Sequence, residues 1–335
     1  MDHTGAPAAY YRIRKNRDAA CLLCPQACII AQGKTGICRT RTLEGGALRL
    51  TNYGRYTSLG VDPIEKKPLY HFHPGRDILS IGGLGCNLRC SFCQNWSISH
   101  GSAPTRAITP EQLAQQAADA GPRNVGVAFT YNEPLIWFEF IRDCAPLLKA
   151  RGMKTVLVSN GFINPEPFAE LAPHINAMNI DLKSFSDAFY QEHCGARLEP
   201  VKKTIAAAVN ARVWVEVTTL VIPGLNDSPG ELDAAAQWLA SVSPDIPLHL
   251  SRYFPNYEMQ RPATPLDTMA RAYDIAQKHL NYVYLGNVGD PTRSRTLCPE
   301  CGATAIARAG YNTDTSGLAS GMACAACGAR IAGVA

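Results

Sequence analysis

From Asp77 to about Gly286 the chain alternates between two kinds of text. Short β-branched or aliphatic runs predict strands: ILSIGGLGC, VGVAFTY, TVLVSN, AMNIDL, VWVEVTTLV, PLHLSRYF and NYVYLG. Between them lie helical patterns such as TPEQLAQQAADAG and PLIWFEFIRDCAPLLKARG. In the first of these, Thr109 suits the cap, Pro110 the first helical position and Gly121 the terminus. Strand–helix alternation at this pace means βαβ units and a parallel sheet. The succession of units fits an α/β fold, a partial or complete parallel (β/α) barrel, better than a short doubly wound sheet. Before Asp77 and after about residue 296 the alternation is absent. The expected division is a cysteine-rich N-terminal lobe with connector over 1–76, the barrel over 77–295, and a small C-terminal module over 296–335.

Composition narrows the class. The 335 residues are 46% hydrophobic and 18% charged, ordinary for a globular chain and wrong for a disordered one. No apolar run reaches the about 18–20 residues of a membrane span, and the N-terminus lacks the apolar core of a signal peptide. A cytoplasmic protein is expected. The net charge of +4 gives little attraction for nucleic acid or an anionic membrane. The short basic runs RIRKNR and TRSR read as solvated surface.

The 13 cysteines change the picture most. Eleven fall into three tight groups, which in a reducing compartment read as metal ligands rather than disulfides. Cys86, Cys90 and Cys93, in GCNLRCSFCQNW, follow the first expected strand. That places them in a loop at the end of a barrel strand where active sites sit. Three thiolates can hold three irons of a cubane 4Fe–4S cluster and leave the fourth iron open. A zinc site completed by a distant residue such as His100 is the other reading. Cys298, Cys301, Cys324 and Cys327 form two CxxC knuckles, each followed by glycine, and read as a zinc ribbon. Cys21, Cys24, Cys28 and Cys38 permit either zinc or an auxiliary 4Fe–4S cluster. Cys144, on an expected helix, reads as a buried small hydrophobe, and Cys194 as either inert or catalytic.

The spacing of Cys86, Cys90 and Cys93, with aromatic Phe92 before the third cysteine, resembles the radical SAM superfamily. The resemblance implies that S-adenosylmethionine (SAM) chelates the open iron through its amino and carboxylate groups. Glu133, in Thr130-Tyr131-Asn132-Glu133-Pro134, would then hold the SAM amino group; it also suits a helix N-terminus. Asp181-Leu182-Lys183 is similar to a segment of the glycyl-radical-enzyme activases. That likeness implies that Lys183 meets the SAM carboxylate and Asp181 orients its neighbours, with a surface ion pair as the other reading. Ser159-Asn160-Gly161 resembles an Asn-Gly of the same activases, although Val158 stands where they carry an acidic residue that helps hold a cation. Asn160-Gly161 equally suits a tight turn. His249 faces SAM by the same resemblance, or is a packed barrel histidine. In Val221-Ile222-Pro223-Gly224-Leu225-Asn226-Asp227, the apolar start is expected to pack on adenine and the rest to form a turn.

The full layout adds a CxLCPxxC block, EKKPLYHF, VIPGLND, a GNV strand end and the ribbon. It resembles the AmmeMemoRadiSam system radical SAM enzymes, relatives of pyruvate formate-lyase activating enzymes. The resemblance implies an enzyme that reductively cleaves SAM to a 5′-deoxyadenosyl radical for hydrogen abstraction. It also implies a one-electron donor such as flavodoxin or ferredoxin, and association with Memo-like and AMMECR-like proteins. A protein substrate, as for an activase, and a small molecule both stay open. The cluster loop and the segment after Asn287 are expected to close the cavity. A non-catalytic zinc-binding interaction protein is the alternative from another class.

Overall fold

The computed structural model describes residues 5–335; positions 1–4 of the N-terminal segment lie outside the described residues. The expected runs form the strands Asp77–Gly82, Asn124–Phe129, Lys154–Ser159, Ala177–Asp181, Trp214–Val221, Leu248–Arg252 and Val283–Gly286. All seven are parallel, and each pairs with its neighbour in sequence. A doubly wound sheet would reverse direction at a switch point. Here no reversal occurs, and the first and last strands of the sheet are not hydrogen-bonded to each other. The architecture is a partial (β/α) barrel.

An eighth strand, Ser58–Pro63, pairs antiparallel with Asp77–Gly82. It comes from the connector, so the barrel sheet starts ahead of the boundary expected at 77. SLGVDP has a glycine, a proline and no run of apolar residues, and so carries little strand signal. An edge position tolerates its proline.

The helices follow their local chemistry. Pro110–Asp119 starts with a capping box, in which the Thr109 side chain accepts from Gln112 N and the Gln112 side chain accepts from Thr109 N. Gly121 follows with φ +98°, a conformation that suits glycine. The second helical pattern divides into a 3-10 turn, Pro134–Trp137, and a helix, Phe138–Ala150. Cys144 on that helix is fully buried, as a small hydrophobe would be.

Both flanking modules are fastened to the barrel through buried polar contacts. The N-terminal lobe docks on helix Phe138–Ala150 through Arg41 and Glu139, an ion pair of 2.5 Å with both side chains at most 3% exposed. On the other side, the last barrel strand shows the period of two. Val283 and Leu285 join the main core, while Tyr282 and Tyr284 join a second core with Ala305, Ile306, Met322 and Ile331 of the C-terminal module. Arg308 of that module lies over the Tyr70 ring at 4.1 Å and donates to Tyr70 O at 2.6 Å. Among the described residues no helix is long and apolar enough to cross a membrane.

Candidate active site at the strand ends

A cavity of about 750 Å³ lies at the C-terminal ends of the barrel strands. It lies within the size range of ligand and cofactor sites. Inward-facing positions alternate along the strands that line it: Asn179 and Asp181, Thr218 and Leu220, His249 and Ser251. The cavity is partly open rather than sealed. Asn287 and Asp290 line it as expected, and so do Gly310 and Tyr311 of the C-terminal module, which the sequence did not suggest.

Cys86, Cys90 and Cys93 all line the cavity. Their loop is pinned by Arg89 N to Cys194 O at 2.8 Å and Ser91 N to His193 O at 3.0 Å. Gly85 has φ +88°, and a Cβ there would stand 2.3 Å from Cys38 O, so no other residue fits. Burial pushes the Cys86 thiol well above its ordinary range, with Glu133 adding to the effect. Metal binding must therefore displace a held proton. Cys194 is fully buried and does not line the cavity, and its neighbouring thiol lowers that of Cys90. It packs behind the loop and has no access to a substrate. Among the described residues no imidazole gathers with the three thiols as a tight metal set; His100 instead stacks on Tyr257.

Glu133 is 2% exposed and lines the cavity. Its Oε1 accepts from Leu135 N at 2.8 Å and from the Ser159 hydroxyl at 2.7 Å; its Oε2 accepts from Asn160 N at 2.8 Å. The first contact is the helix-end role foreseen as an alternative. It does not exhaust the carboxylate, because Oε2 keeps one lone pair free of these donors. Burial raises this carboxyl to about 7 even against those hydrogen bonds. Asn160 Nδ2 reaches Cys86 Sγ at 3.7 Å and Asn87 Oδ1 at 2.9 Å. Gly161, at φ +68°, also makes the turn that was the other reading.

Asp181 and Lys183 form an ion pair of 2.7 Å on the cavity wall. Burial opposes the Lys183 charge, but Asp181 and the Cys90 thiolate outweigh it and hold the ammonium above its ordinary range. His249 also lines the cavity, with Nε2 on Glu216 Oε2 at 2.7 Å. It is both a cavity residue and a packed barrel histidine.

Three features were missed. Glu216 is fully buried and collects His249, Trp214 Nε1 and the backbone N–H groups of Tyr70 and His71. A charged residue inside VWVEVTTLV was the available signal. Asn226 is no mere turn residue: its side chain bonds Ile222 N, Leu220 O and Lys183 O. Val221 and Ile222, expected against adenine, are fully buried and off the cavity wall, whereas Leu220 lies on it. The reason is the two-residue period, which turns Leu220 inward and Val221 to the core. The third feature is a cluster built on Tyr131 and Lys67, both on the cavity wall. Tyr131, at φ +71°, donates to Asp62 at 2.8 Å, and the buried Lys67 meets the same carboxylate at 2.6 Å.

An open (β/α) barrel that presents three cysteines of one loop to a polar cavity defines a class of catalytic scaffold, and sequence comparison gives it a family. The model of the radical SAM superfamily matches residues 80–237. An uncharacterized protein of Methanocaldococcus jannaschii is 38% identical over 331 residues, covering 97% of this chain and 98% of that protein. The pyruvate formate-lyase-activating enzyme of Clostridium pasteurianum is 26% identical over 165 residues, covering 47% of this chain and 67% of that enzyme. Among solved structures, Streptococcus suis SuiB bound to S-adenosylmethionine superposes with a TM-score of 0.50 at 17% identity, over 61% of this chain and 48% of that one. That likeness concerns the fold. The chain belongs to the radical SAM superfamily and is related to the pyruvate formate-lyase activating enzymes. Members are usually enzymes, and membership implies a 4Fe–4S cluster and SAM.

Proposed function

We propose that this chain is a SAM-cleaving enzyme of the AmmeMemoRadiSam type, acting on a protein in the manner of an activase. The observation that carries the reading is one cavity joining the three-cysteine loop to Glu133, Asn160, Asp181, Lys183 and His249. Cys86, Cys90 and Cys93 would hold the cluster. When bound, cluster and SAM supply a one-electron reductive cleavage that yields a 5′-deoxyadenosyl radical for hydrogen abstraction.

The chain's own residues bind and orient. The free lone pair of Glu133 Oε2 accepts an N–H from the amino group of SAM. The Lys183 ammonium donates to its carboxylate, and Asp181 keeps that ammonium charged and aimed. Asn160 Nδ2 donates toward Cys86 Sγ and fixes the loop relative to the third strand. His249 is held by Glu216 and presents its other edge to the cavity. Tyr311 and Tyr131 also line the cavity and bound the space left for a substrate. The ribbon cysteines would hold zinc, which staples the hairpin that carries Tyr311. Electrons would come from a flavodoxin- or ferredoxin-like donor.

The test is anaerobic reconstitution followed by reductant-dependent 5′-deoxyadenosine formation from SAM, with Cys86, Cys90 and Cys93 replaced by alanine as control. Formation that vanishes in the control supports the reading. An iron-loaded wild type inert toward SAM, with and without candidate protein substrates, would overturn it. It would leave the zinc-bound interaction protein as the better account.

A further inference from the structure

The two outer cysteine groups differ in a way their spacing did not reveal. In the ribbon, Cys298 Sγ lies 3.6 Å from Cys327 Sγ, and Cys301 Sγ 3.8 Å from Cys324 Sγ. All four sulfurs fall within 4.8 Å of one another. A Zn–S bond of about 2.3 Å puts tetrahedral ligands about 3.8 Å apart, so these thiols stand where one zinc ion needs them. No other set of three or more ligands among the described residues gathers so tightly. Cys21, Cys24, Cys28 and Cys38 do not, and neither do Cys86, Cys90 and Cys93.

The N-terminal thiols are nevertheless organised around a common centre. All four line one cavity together with Arg41 and Asn87. Sulfurs set around one centre but less tightly than the ribbon set suit a cubane better than a single ion, because each thiolate takes a different iron of the cluster. Donors are already in place for sulfur: Ile37 N reaches Cys28 Sγ at 3.5 Å, and the Thr40 hydroxyl reaches Cys38 Sγ at 3.3 Å. Arg41 supplies an independent sign of an anionic occupant. Its side chain is 1% exposed, yet its Nε, on a residue lining this cavity, has no hydrogen-bond partner. A buried cationic donor left unpaired is costly. A sulfide or thiolate of a cluster with net negative charge would satisfy it.

The centre also abuts the barrel loop. Gln26, between Cys24 and Cys28, donates to Asn87 O at 2.8 Å. Asn87 follows Cys86 and lines the N-terminal cavity. The Cys38 carbonyl rests on Gly85, just before Cys86. Gly85 and Asn87, the two chain neighbours of Cys86, thus both touch the N-terminal set.

We infer that Cys21, Cys24, Cys28 and Cys38 hold a second 4Fe–4S cluster rather than zinc, and that it exchanges one electron with the cluster at Cys86, Cys90 and Cys93. The exchange rests on the barrel cluster of the proposed function; the metal assignment does not. One cluster is oxidised by one electron as the other is reduced, no bond or proton moves, and a low-potential one-electron donor refills the pair.

The test uses the full chain, reconstituted without oxygen, with dithionite as reductant. Iron, sulfide and zinc are measured in the wild type and in the triple variant Cys86→Ala, Cys90→Ala, Cys93→Ala, which leaves the N-terminal lobe untouched. About eight irons and about one zinc are expected in the wild type, and about four irons with the same zinc in the variant. Reduced wild type should give an electron paramagnetic resonance signal broadened by two interacting clusters, and the variant a simple one. About four irons with about two zincs in the wild type, and none of the iron surviving in the variant, would overturn the assignment while sparing the barrel cluster. About four irons in both proteins would instead sink the barrel cluster and the exchange, and keep the N-terminal cluster. Two non-interacting signals would refute the exchange. Should the variant fail to fold, the wild-type iron and zinc counts together still decide the metal: about eight irons, or about four irons with about one zinc, keep the N-terminal cluster, and about four irons with about two zincs overturn it.

Discussion

Replacing Glu133 by glutamine separates binding from folding at the centre of the proposed site. Burial raises this carboxyl from 4.5 to about 7. That difference corresponds to about 3 kcal/mol, at 1.36 kcal/mol for each tenfold. The folded chain therefore keeps a proton between pH 4.5 and 7 that the unfolded chain has released. Stability falls as pH rises through that window and levels off above it. A ligand amino group that needs the ionised carboxylate must expel the proton below pH 7. With the carboxyl at about 7, ionisation alone weakens binding about tenfold between pH 8 and pH 6.

Glu133→Gln cannot ionise, so its SAM affinity should lack this component. At pH 8 it loses a charge-assisted hydrogen bond worth about 1.5–3 kcal/mol, or about ten- to a hundredfold in Kd. At pH 6 the gap to wild type should narrow about tenfold. Any titration of SAM itself cancels in the ratio of the two proteins. Folding should change little. The variant escapes the cost of a buried charge, but its amide N–H₂ faces Asn160 N, a mismatch of about 1–3 kcal/mol in the other direction. The assay is anaerobic equilibrium binding of SAM to both cluster-loaded proteins at pH 6, 7 and 8, with urea unfolding beside it. Parallel pH curves for the two proteins would refute the role of this carboxylate.

Four further outcomes are expected. Lys183→Met should weaken SAM binding about ten- to a hundredfold, the range for a hydrogen bond to a charged group. Its unfolding free energy should drop by less than about 1 kcal/mol, because the pair with Asp181 is partly exposed; a large loss of stability in urea would contradict this. Glu139→Gln strands the buried Arg41 charge and should destabilise the chain by about 3–5 kcal/mol in denaturant, with faster proteolysis of the N-terminal lobe. Gly82→Ala puts a Cβ 2.8 Å from the Tyr131 ring and 2.9 Å from Thr130 O, and a backbone oxygen does not yield cheaply. It should lower stability by about 1–3 kcal/mol and weaken SAM binding by displacing the segment that carries Glu133, measured by thermal melting and binding. Cys301→Ser with Cys327→Ser should release about one zinc, leave the iron content unchanged, and expose 296–335 to protease; retained zinc would point to other ligands.

The barrel was legible because its signals are local. Period-two runs and capped helices state their own structure, and Thr109, Pro110 and Gly121 mark one helix within 13 residues. The cysteine loop was legible for the same reason. What escaped depends on contacts distant in sequence. Ser58–Pro63 is a strand only because Asp77–Gly82 offers it an edge. Tyr311 reaches the cavity only because the module beyond residue 296 packs on Tyr282 and Tyr284. Arg308 ties that module to Tyr70, whose ring meets His249 edge-on at 4.7 Å.

One signal was present and read at too low a resolution. In an open barrel a strand has two faces with different duties. One packs against helices and is apolar; the other lines the interior and, near the C-terminal end, faces the cavity. A polar residue at every second position of an otherwise apolar strand therefore maps the cavity wall. Asn179 and Asp181, Glu216 and Thr218, and His249 and Ser251 obey this on three successive strands. The register aligns them, with Asn179 beside Glu216 and Thr218 beside His249. Reading VWVEVTTLV as a strand without asking which face Glu216 occupied lost the residue that anchors His249. It also sent Val221 to the wrong side. Depth supplies the remaining distinction. Glu216 sits one pair below Thr218, fully buried and off the cavity wall, so it acts through His249 and the connector backbone rather than on a bound molecule. Its burial, like that of Glu133, is tolerated because hydrogen-bond donors surround it. The two acids differ in direction: the His249 partner holds Glu216 low against burial, whereas Glu133 has only neutral donors and is left near neutrality. Under the proposed function, a buried carboxyl held only by neutral donors inside such a wall is the one placed to receive a cationic group from a ligand.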